Sequence, residues 1–292
     1  MNTTTHILRS EKLLVEISEN GAELISVKDA VSNFEFMWQA DPKIWNRHAP
    51  VLFPIVGKLN NNRIKISGKN FEMSQHGFAR DQVFEPIEMY TDLIRLMLSS
   101  SDVSLEKYPY EFRFFTTYYL NDNTLRIEHK VINVGAEEMY FSLGAHPGFS
   151  LPKAEMGQYK IEFEQAEVFE RHLLQDGLFT GKTESMQANG NLLPLSNSLF
   201  EKDAIVFKNL KSKWLKLVRT DSNYSIQMNF EGFPFMGIWT KPGQEEFICL
   251  EPWLGIADSV GFTGDISDKE GIMALTPNAE ISFHYDLIFT AG

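Results

Sequence analysis

An imidazole and a carboxylate stand out by their surroundings. His146 sits in Gly144-Ala145-His146-Pro147-Gly148-Phe149, directly after the strand-like run from Glu138 to Leu143. Proline stops a ladder and restricts the residue before it, here His146 itself. The flanking glycines let backbone or ligand approach closely. Glu251 lies in Cys249-Leu250-Glu251-Pro252-Trp253, after the apolar run Phe247 to Leu250. Such a carboxylate is expected to be partly desolvated, which raises its pKa and suits it to general-base work near neutrality. Two more polar segments interrupt the apolar pattern. One runs from Arg47 through Pro50 and Pro54 to Lys58, and the other is Gln75-His76-Gly77-Phe78-Ala79-Arg80-Asp81. Asp203 stands just before an apolar run within Leu199 to Phe207.

Several reaction classes find no support in these residues. No G-x-S-x-G elbow is present, and no Gly-rich phosphate loop opens a helix. The paired histidines do not favour the two flanking carboxylates of a glycosidase. Two histidines, an arginine and a glutamate could also be read as a metal site. Nothing matches the helix-borne H-E-x-x-H pattern, although long spacing leaves that reading open. Trp239 and Trp253 flank Glu251 among Gly, Pro and aromatic residues, where exposed ring faces would suit the C–H faces of sugars. His6, His48, His129, His172 and His284 lack such a setting and read as structural or surface residues.

The chain has 292 residues, 43% of them hydrophobic and 23% charged, the make-up of an ordinary globular protein able to bury a large core. Its net charge of −12 comes without a basic run, which argues against nucleic acid and anionic membrane as partners. The lone cysteine, Cys249, rules out an internal disulfide or a cysteine metal cluster. The first residues lack a signal-peptide pattern, and no apolar run approaches the ~20 residues of a membrane helix. A cytoplasmic location is therefore expected.

Alternating apolar and β-branched residues recur almost throughout and must position these groups. Strands are expected at Ile7 to Ser10, Leu13 to Ile17, Glu23 to Lys28, Phe34 to Trp38, Val83 to Tyr90, Leu93 to Ser99, Phe112 to Leu120 and Thr124 to Asn133. More follow at Tyr159 to Phe163, Val168 to Leu173, Trp214 to Arg219, Ser225 to Phe230, Phe235 to Thr240, Phe247 to Glu251, Met273 to Leu275 and Ile281 to Ile288. A hairpin is expected around Ser67-Gly68, and Asn121-Asp122-Asn123 reads as a hairpin turn. Asp41-Pro42-Lys43-Ile44-Trp45 reads as a short helical turn, Asp102 to Tyr110 is a loop or short helix, and the polar stretch Asp176 to Asn191 reads as loop-rich. The prolines of the Arg47 to Lys58 segment argue against a central strand. With no linker, repeat or composition break, residues 1–292 are expected to form one domain, an all-β antiparallel sandwich with few short helices.

Taken together, Arg47…Pro50-Val51-Leu52-Phe53-Pro54, His76-Gly77-Phe78-Ala79-Arg80, Gly144-Ala145-His146-Pro147-Gly148-Phe149 and Leu250-Glu251-Pro252-Trp253 resemble the aldose 1-epimerase (galactose mutarotase-like) family and, within it, a LacX-like branch. The resemblance covers nearly the whole chain. It implies a large antiparallel β-supersandwich and a cofactor-independent isomerase that interconverts the α and β anomers of a hexose, such as galactose. By that resemblance Glu251 is the general base on the anomeric hydroxyl, and His146 is the acid that protonates the ring oxygen. His76 supports the ring oxygen, while Arg47, Arg80 and Asp203 hold sugar hydroxyls; no metal takes part. His146 is accordingly expected to be protonated when sugar binds, helped by a nearby carboxylate. The His76 to Arg80 motif departs from the better-known galactose mutarotases and is shared with hexose-6-phosphate mutarotases. Arg47, Lys58 and Arg80 could then meet a phosphate. Hexose-6-phosphate 1-epimerase and a non-catalytic sugar-binding protein on the same fold are the alternatives. The sequence leaves monomer and homodimer both open.

Overall fold

The computed structural model describes residues 4–151 and 155–291. Residues 1–3, part of the start read above for a targeting signal, lie outside them. Twenty-four strands occur among the described residues, with only short helical turns between them. Two large sheets dominate, one of nine strands and one of eight, with a three-stranded sheet and two ribbons beside them. Neighbours in both large sheets pair antiparallel, as in the long hairpin Phe112–Asn121 with Thr124–Asn133 and in Phe235–Trp239 with Phe247–Trp253. This is the all-β architecture expected from the alternation. Among the described residues no helix is long and apolar enough to cross a membrane.

The eight-stranded sheet positions the polar residues. Starting at one edge, its order is Leu178–Ser185, Glu170–Gln175, Ile205–Lys208, Phe235–Trp239, Phe247–Trp253, Gly144–Ala145 and Val51–Leu52; Gly148–Ser150 also pairs with Phe247–Trp253. Side chains alternate across a strand, so each strand sends two sets in opposite directions. Ile205, Phe207, Met236, Ile238, Ile248 and Leu250 enter the main core, where they meet Leu215, Leu217, Ile226, Met228, Leu125, Leu287 and Phe289 from the nine-stranded sheet. The alternate residues, Val206, Phe235 and Trp253, form a smaller cluster on the opposite face, with Leu52 and Val56. Phe247 and Cys249 lie in a third cluster with Trp38. The strand Phe247–Trp253 is thus buried along its whole length, and Glu251 belongs to the set facing away from the main core.

Several local expectations change. Asp176 to Asn191 is not mainly loop: Leu178–Ser185 is a strand that pairs with Glu170–Gln175 around Asp176-Gly177, both with positive φ. It lies at the edge of the sheet, where one face meets solvent, and this explains its polar composition. Phe34 to Trp38 makes only isolated bridges, Lys28 with Glu35 and Met37 with Phe149. The Pro-rich segment contributes only Val51–Leu52, at the opposite sheet edge, where prolines are tolerated. The run before His146 divides: Met139–Phe141 pairs with Met273–Leu275 in a separate ribbon, and the strand that reaches His146 is Gly144–Ala145. Asp102–Leu105 is a short helix whose Ser101 cap exchanges hydrogen bonds with Ser104.

Leu250 is fully buried on the core-facing side of its strand. Leu250→Ala should lower the unfolding free energy by about 2–5 kcal/mol, read from the urea midpoint at unchanged m. A loss below about 1 kcal/mol would contradict the assignment of faces.

Candidate active site

Register explains why Glu251 meets His146. Gly144 pairs with Trp253 and Gly148 with Cys249. Continued through the gap between them, this register sets His146 opposite Glu251. The ladder is interrupted there because Pro147 has no N–H to donate. Instead, Pro147 O accepts from Leu250 N at 3.2 Å, and His146 N donates to Pro50 O at 3.2 Å. Directly opposed residues of an antiparallel pair have Cβ atoms about 4.5–5.5 Å apart. Here His146 Nε2 and Glu251 Oε2 lie 3.1 Å apart. On the other side Glu251 faces Gly237. A Cβ on Gly237 would come within 2.7 Å of the Trp253 ring and 3.2 Å of Glu251 Cβ, so the missing side chain makes room for both.

His76 enters from a loop that crosses this face. Its φ is +66° and that of Gly77 is +73°. The left-handed region is unfavourable for a residue with a Cβ and needs fixing by its surroundings. The fixing is dense: His76 N donates to Gly57 O at 2.9 Å, and Phe78 N to Phe53 O at 3.0 Å. A Cβ on Gly77 would lie 2.2 Å from Phe53 O, so only glycine fits. Gly57 N in turn donates to His76 Nδ1 at 3.1 Å. A backbone N–H can only donate, so Nδ1 accepts and the ring proton sits on Nε2. Nε2–H then faces the side-chain amide of Gln75 at 3.2 Å, whose carbonyl oxygen must turn toward it.

Glu251, His146, His76, Arg80 and Asp203 all line one cavity of about 300 Å³, together with Gln75, Trp45, Trp239 and Trp253. That volume is at the lower end of small-molecule pockets, about 300–1,000 Å³. The rings of Trp45 and Trp239 lie 5.1 and 5.6 Å from that of His146, and the His76 ring lies 5.6 Å away, edge-on. Trp253 lines the cavity as well, but packs tightly against Gly144 and Gly237. Asp203 has a φ of +72°, and its Oδ1 accepts from Ala204 N at 2.7 Å.

Arg47 does not line the cavity. Its guanidinium contacts Asp81 Oδ1 at 2.6 Å and Arg80 O at 3.4 Å, so it holds the Arg80 loop in place. Arg80 itself donates to Gln75 O at 2.6 Å. Lys58 is also absent from the cavity lining, and its Nζ donates to Asp176 O at 2.8 Å. Glu23 beneath the loop accepts from the backbone of His48 and Ala49. Nothing in its sequence context, within a regular strand, distinguished it. Trp45 was likewise read only as part of a helical turn, and Gln75 drew no role although it is next to His76.

Burial governs the electrostatics. It pushes the Glu251 carboxyl well above its ordinary range, with Asp203 adding to the rise and the Trp253 indole opposing it. His146 is lowered to about 3, first by burial, with Arg80 and Arg47 adding to the shift. His76 is held well below its ordinary value by burial, then by His146 and the two arginines. Arg80 is lowered to about 10 by burial and by Arg47, with Asp81 and Glu23 opposing. His146 was expected to be protonated when sugar binds; with the cavity empty, burial favours the protonated carboxyl and the neutral imidazole. That state and the ion pair share the same single proton. The site can therefore exchange protons with two adjacent oxygens of a ligand at constant net charge.

A family model described as aldose 1-epimerase matches residues 5–261. The chain belongs to the aldose 1-epimerase family. Protein LacX (plasmid) of Lactococcus lactis subsp. lactis is 31% identical over 296 residues, spanning 96% of this chain and 97% of its own length. Among solved structures, a galactose mutarotase related enzyme from Lactobacillus acidophilus superposes with a TM-score of 0.94 at 33% identity, covering 99% of this chain and 98% of that one. A galactose mutarotase-like protein from Lactobacillus casei ATCC 334 gives the same TM-score at 29% identity, covering 98% and 100%. The family is that of an isomerase acting on sugars, and the fold is galactose mutarotase-like.

The His76 tautomer can be measured. Side-chain ¹⁵N spectra from pH 8 to 5 should show Nδ1 as a bare acceptor and Nε2 protonated throughout. Titration near the ordinary value of 6.5, with both nitrogens protonated below it, would contradict the Gly57 lock.

Proposed function

We propose that this aldose 1-epimerase family member is a mutarotase for a free hexose, with Glu251 and His146 as its proton-transfer pair. The observation that carries the reading is a carboxyl and an imidazole, 3.1 Å apart at the floor of a cavity with aromatic walls. Mutarotation needs one proton removed and one delivered at the two oxygens of the anomeric carbon.

In ring opening, Glu251 as carboxylate takes the proton of the anomeric O1. The O1 electrons form the carbonyl, the bond from C1 to the ring oxygen breaks, and that oxygen receives a proton from His146. The pair is left as carboxylic acid and neutral imidazole, the arrangement that burial favours. Rotation about C1–C2 then presents the other carbonyl face. On closure His146 takes the hydroxyl proton as the oxygen attacks C1, and Glu251 returns a proton to O1. No proton is gained or lost over the cycle, and the chemistry balances without a cofactor. A bound sugar favours the reactive ion-pair form by donating its O1 hydroxyl to Glu251 and accepting at its ring oxygen from His146.

The neutral His76 serves as a donor from Nε2 to the ring side of the sugar, which takes the place of the Gln75 amide there. Arg80 and Asp203 contact hydroxyls, and Trp45 and Trp239 offer ring faces to sugar C–H groups. Arg47 acts through the Arg80 loop. The free sugar is favoured over a 6-phosphate because the Arg47 guanidinium and the Lys58 ammonium are already held, by Asp81 and by the Asp176 carbonyl. The galactose named for the structural relatives is the first sugar to try.

Polarimetry on free hexoses and their 6-phosphates should show acceleration over spontaneous mutarotation with a free hexose. Glu251→Gln and His146→Asn should each lose about 10²–10⁴-fold in kcat/KM. The sign of the pH dependence follows from the pair. Activity falls in acid only when His146 takes a second proton, well below 6.5, and falls in base when the last proton leaves. kcat/KM should therefore stay flat from pH 7 to 5. Full activity in Glu251→Gln would refute its role as base, binding without acceleration would indicate a non-catalytic sugar binder, and an acid limb centred near 6.5 would contradict the neutral pair.

A further inference from the structure

One buried group near the pair has no part in the proton chemistry. Cys249 lies two residues before Glu251 on the same face of the strand, opposite Gly148 and Trp239. Its thiol is fully buried. One ligand atom each from His146, Cys249 and Glu251 all lie within 4.8 Å of one another. A second observation marks the space between them. Glu251 is 1% exposed, and its Oε2 makes no hydrogen bond of good geometry among the described residues although His146 Nε2 lies 3.1 Å away. Once the single proton of the pair has left, the lone pairs of Oε2 and Nε2 face a common space that a cation can occupy.

We propose that His146, Cys249 and Glu251 form a three-ligand site for a thiophilic divalent cation of the zinc type, and that a cation bound there excludes the sugar. Zinc takes imidazole nitrogen at about 2.0–2.1 Å, carboxylate oxygen at about 2.0–2.2 Å and thiolate at about 2.3 Å, which in a tetrahedron places the donors about 3.3–3.7 Å apart. The nitrogen–oxygen separation is already near that value, and the sulfur, within 4.8 Å of both, must close by no more than about 1–1.5 Å. The fourth position faces the cavity and takes water. A thiolate, a carboxylate and a neutral imidazole neutralise the dication. Binding therefore releases the thiol proton and the single proton of the Glu251–His146 pair. Asp203 favours a cation here and Arg80 opposes it. Since Glu251 and His146 are occupied as ligands, neither can reach a sugar oxygen.

The test compares wild type with Cys249→Ala and the near-isosteric Cys249→Ser, using Zn²⁺ and Cd²⁺ as probes. Wild type should bind one equivalent of Cd²⁺ with a thiolate-to-metal absorption band and release protons. Zn²⁺ should abolish its mutarotation in competition with sugar. Both variants should keep the metal-free activity, lose the band and bind Zn²⁺ at least about 100-fold more weakly. Equal Zn²⁺ inhibition in the variants, or a wild type without the Cd²⁺ band, overturns the site. The metal-binding readout does not depend on the mutarotase reading. A protein that binds Cd²⁺ through Cys249 but never accelerates mutarotation supports the site and refutes that reading instead.

Discussion

The constraint on which the structure depends is the desolvation of two ionisable groups placed opposite each other within a sheet. A buried carboxylate or imidazolium alone is disfavoured by several kcal/mol. Glu251 and His146 avoid that cost by resting neutral with one proton between them, as the opposite directions of their shifts indicate. The two arginines that act on His146 are held elsewhere: Arg80 by the Gln75 carbonyl, and Arg47 by Asp81. In the account proposed here this resting state is also the state of the enzyme when the sugar is open, so catalysis runs between two arrangements of equal net charge.

Two irregularities in the backbone make this arrangement. Pro147 interrupts the ladder opposite Glu251, so that an imidazole is not drawn into regular pairing. The left-handed His76-Gly77 pair carries the second imidazole across the face, where Gly57 determines its tautomer. Regular structure supplies the rest. Period-2 alternation along Phe247–Trp253 sends Ile248 and Leu250 into the main core and leaves Glu251 facing the cavity.

Much of this was legible in the sequence, and the limits have physical causes. Strands and turns could be read because alternation and Asn/Gly turn chemistry are local. The segments of His76, His146 and Glu251 were visible because prolines and glycines around a polar residue break a β pattern. Register was not legible, since it depends on pairing across more than a hundred residues. The facing of His146 and Glu251 and the exclusion of Arg47 from the cavity therefore emerged only in three dimensions. The edge strand Leu178–Ser185 was missed because its solvent-facing side carries the composition of a loop. The resting state of the pair was not legible either, because it depends on burial, which a sequence does not display.

On the proposed mechanism one proton is shared by Glu251 and His146 and rests on the carboxyl when the cavity is empty. Infrared difference spectroscopy between wild type and Glu251→Gln at pH 7 tests it most directly. A protonated carboxyl C=O band should be present in wild type and absent from the variant. A difference spectrum with only carboxylate bands would show Glu251 ionised in the empty site and contradict it.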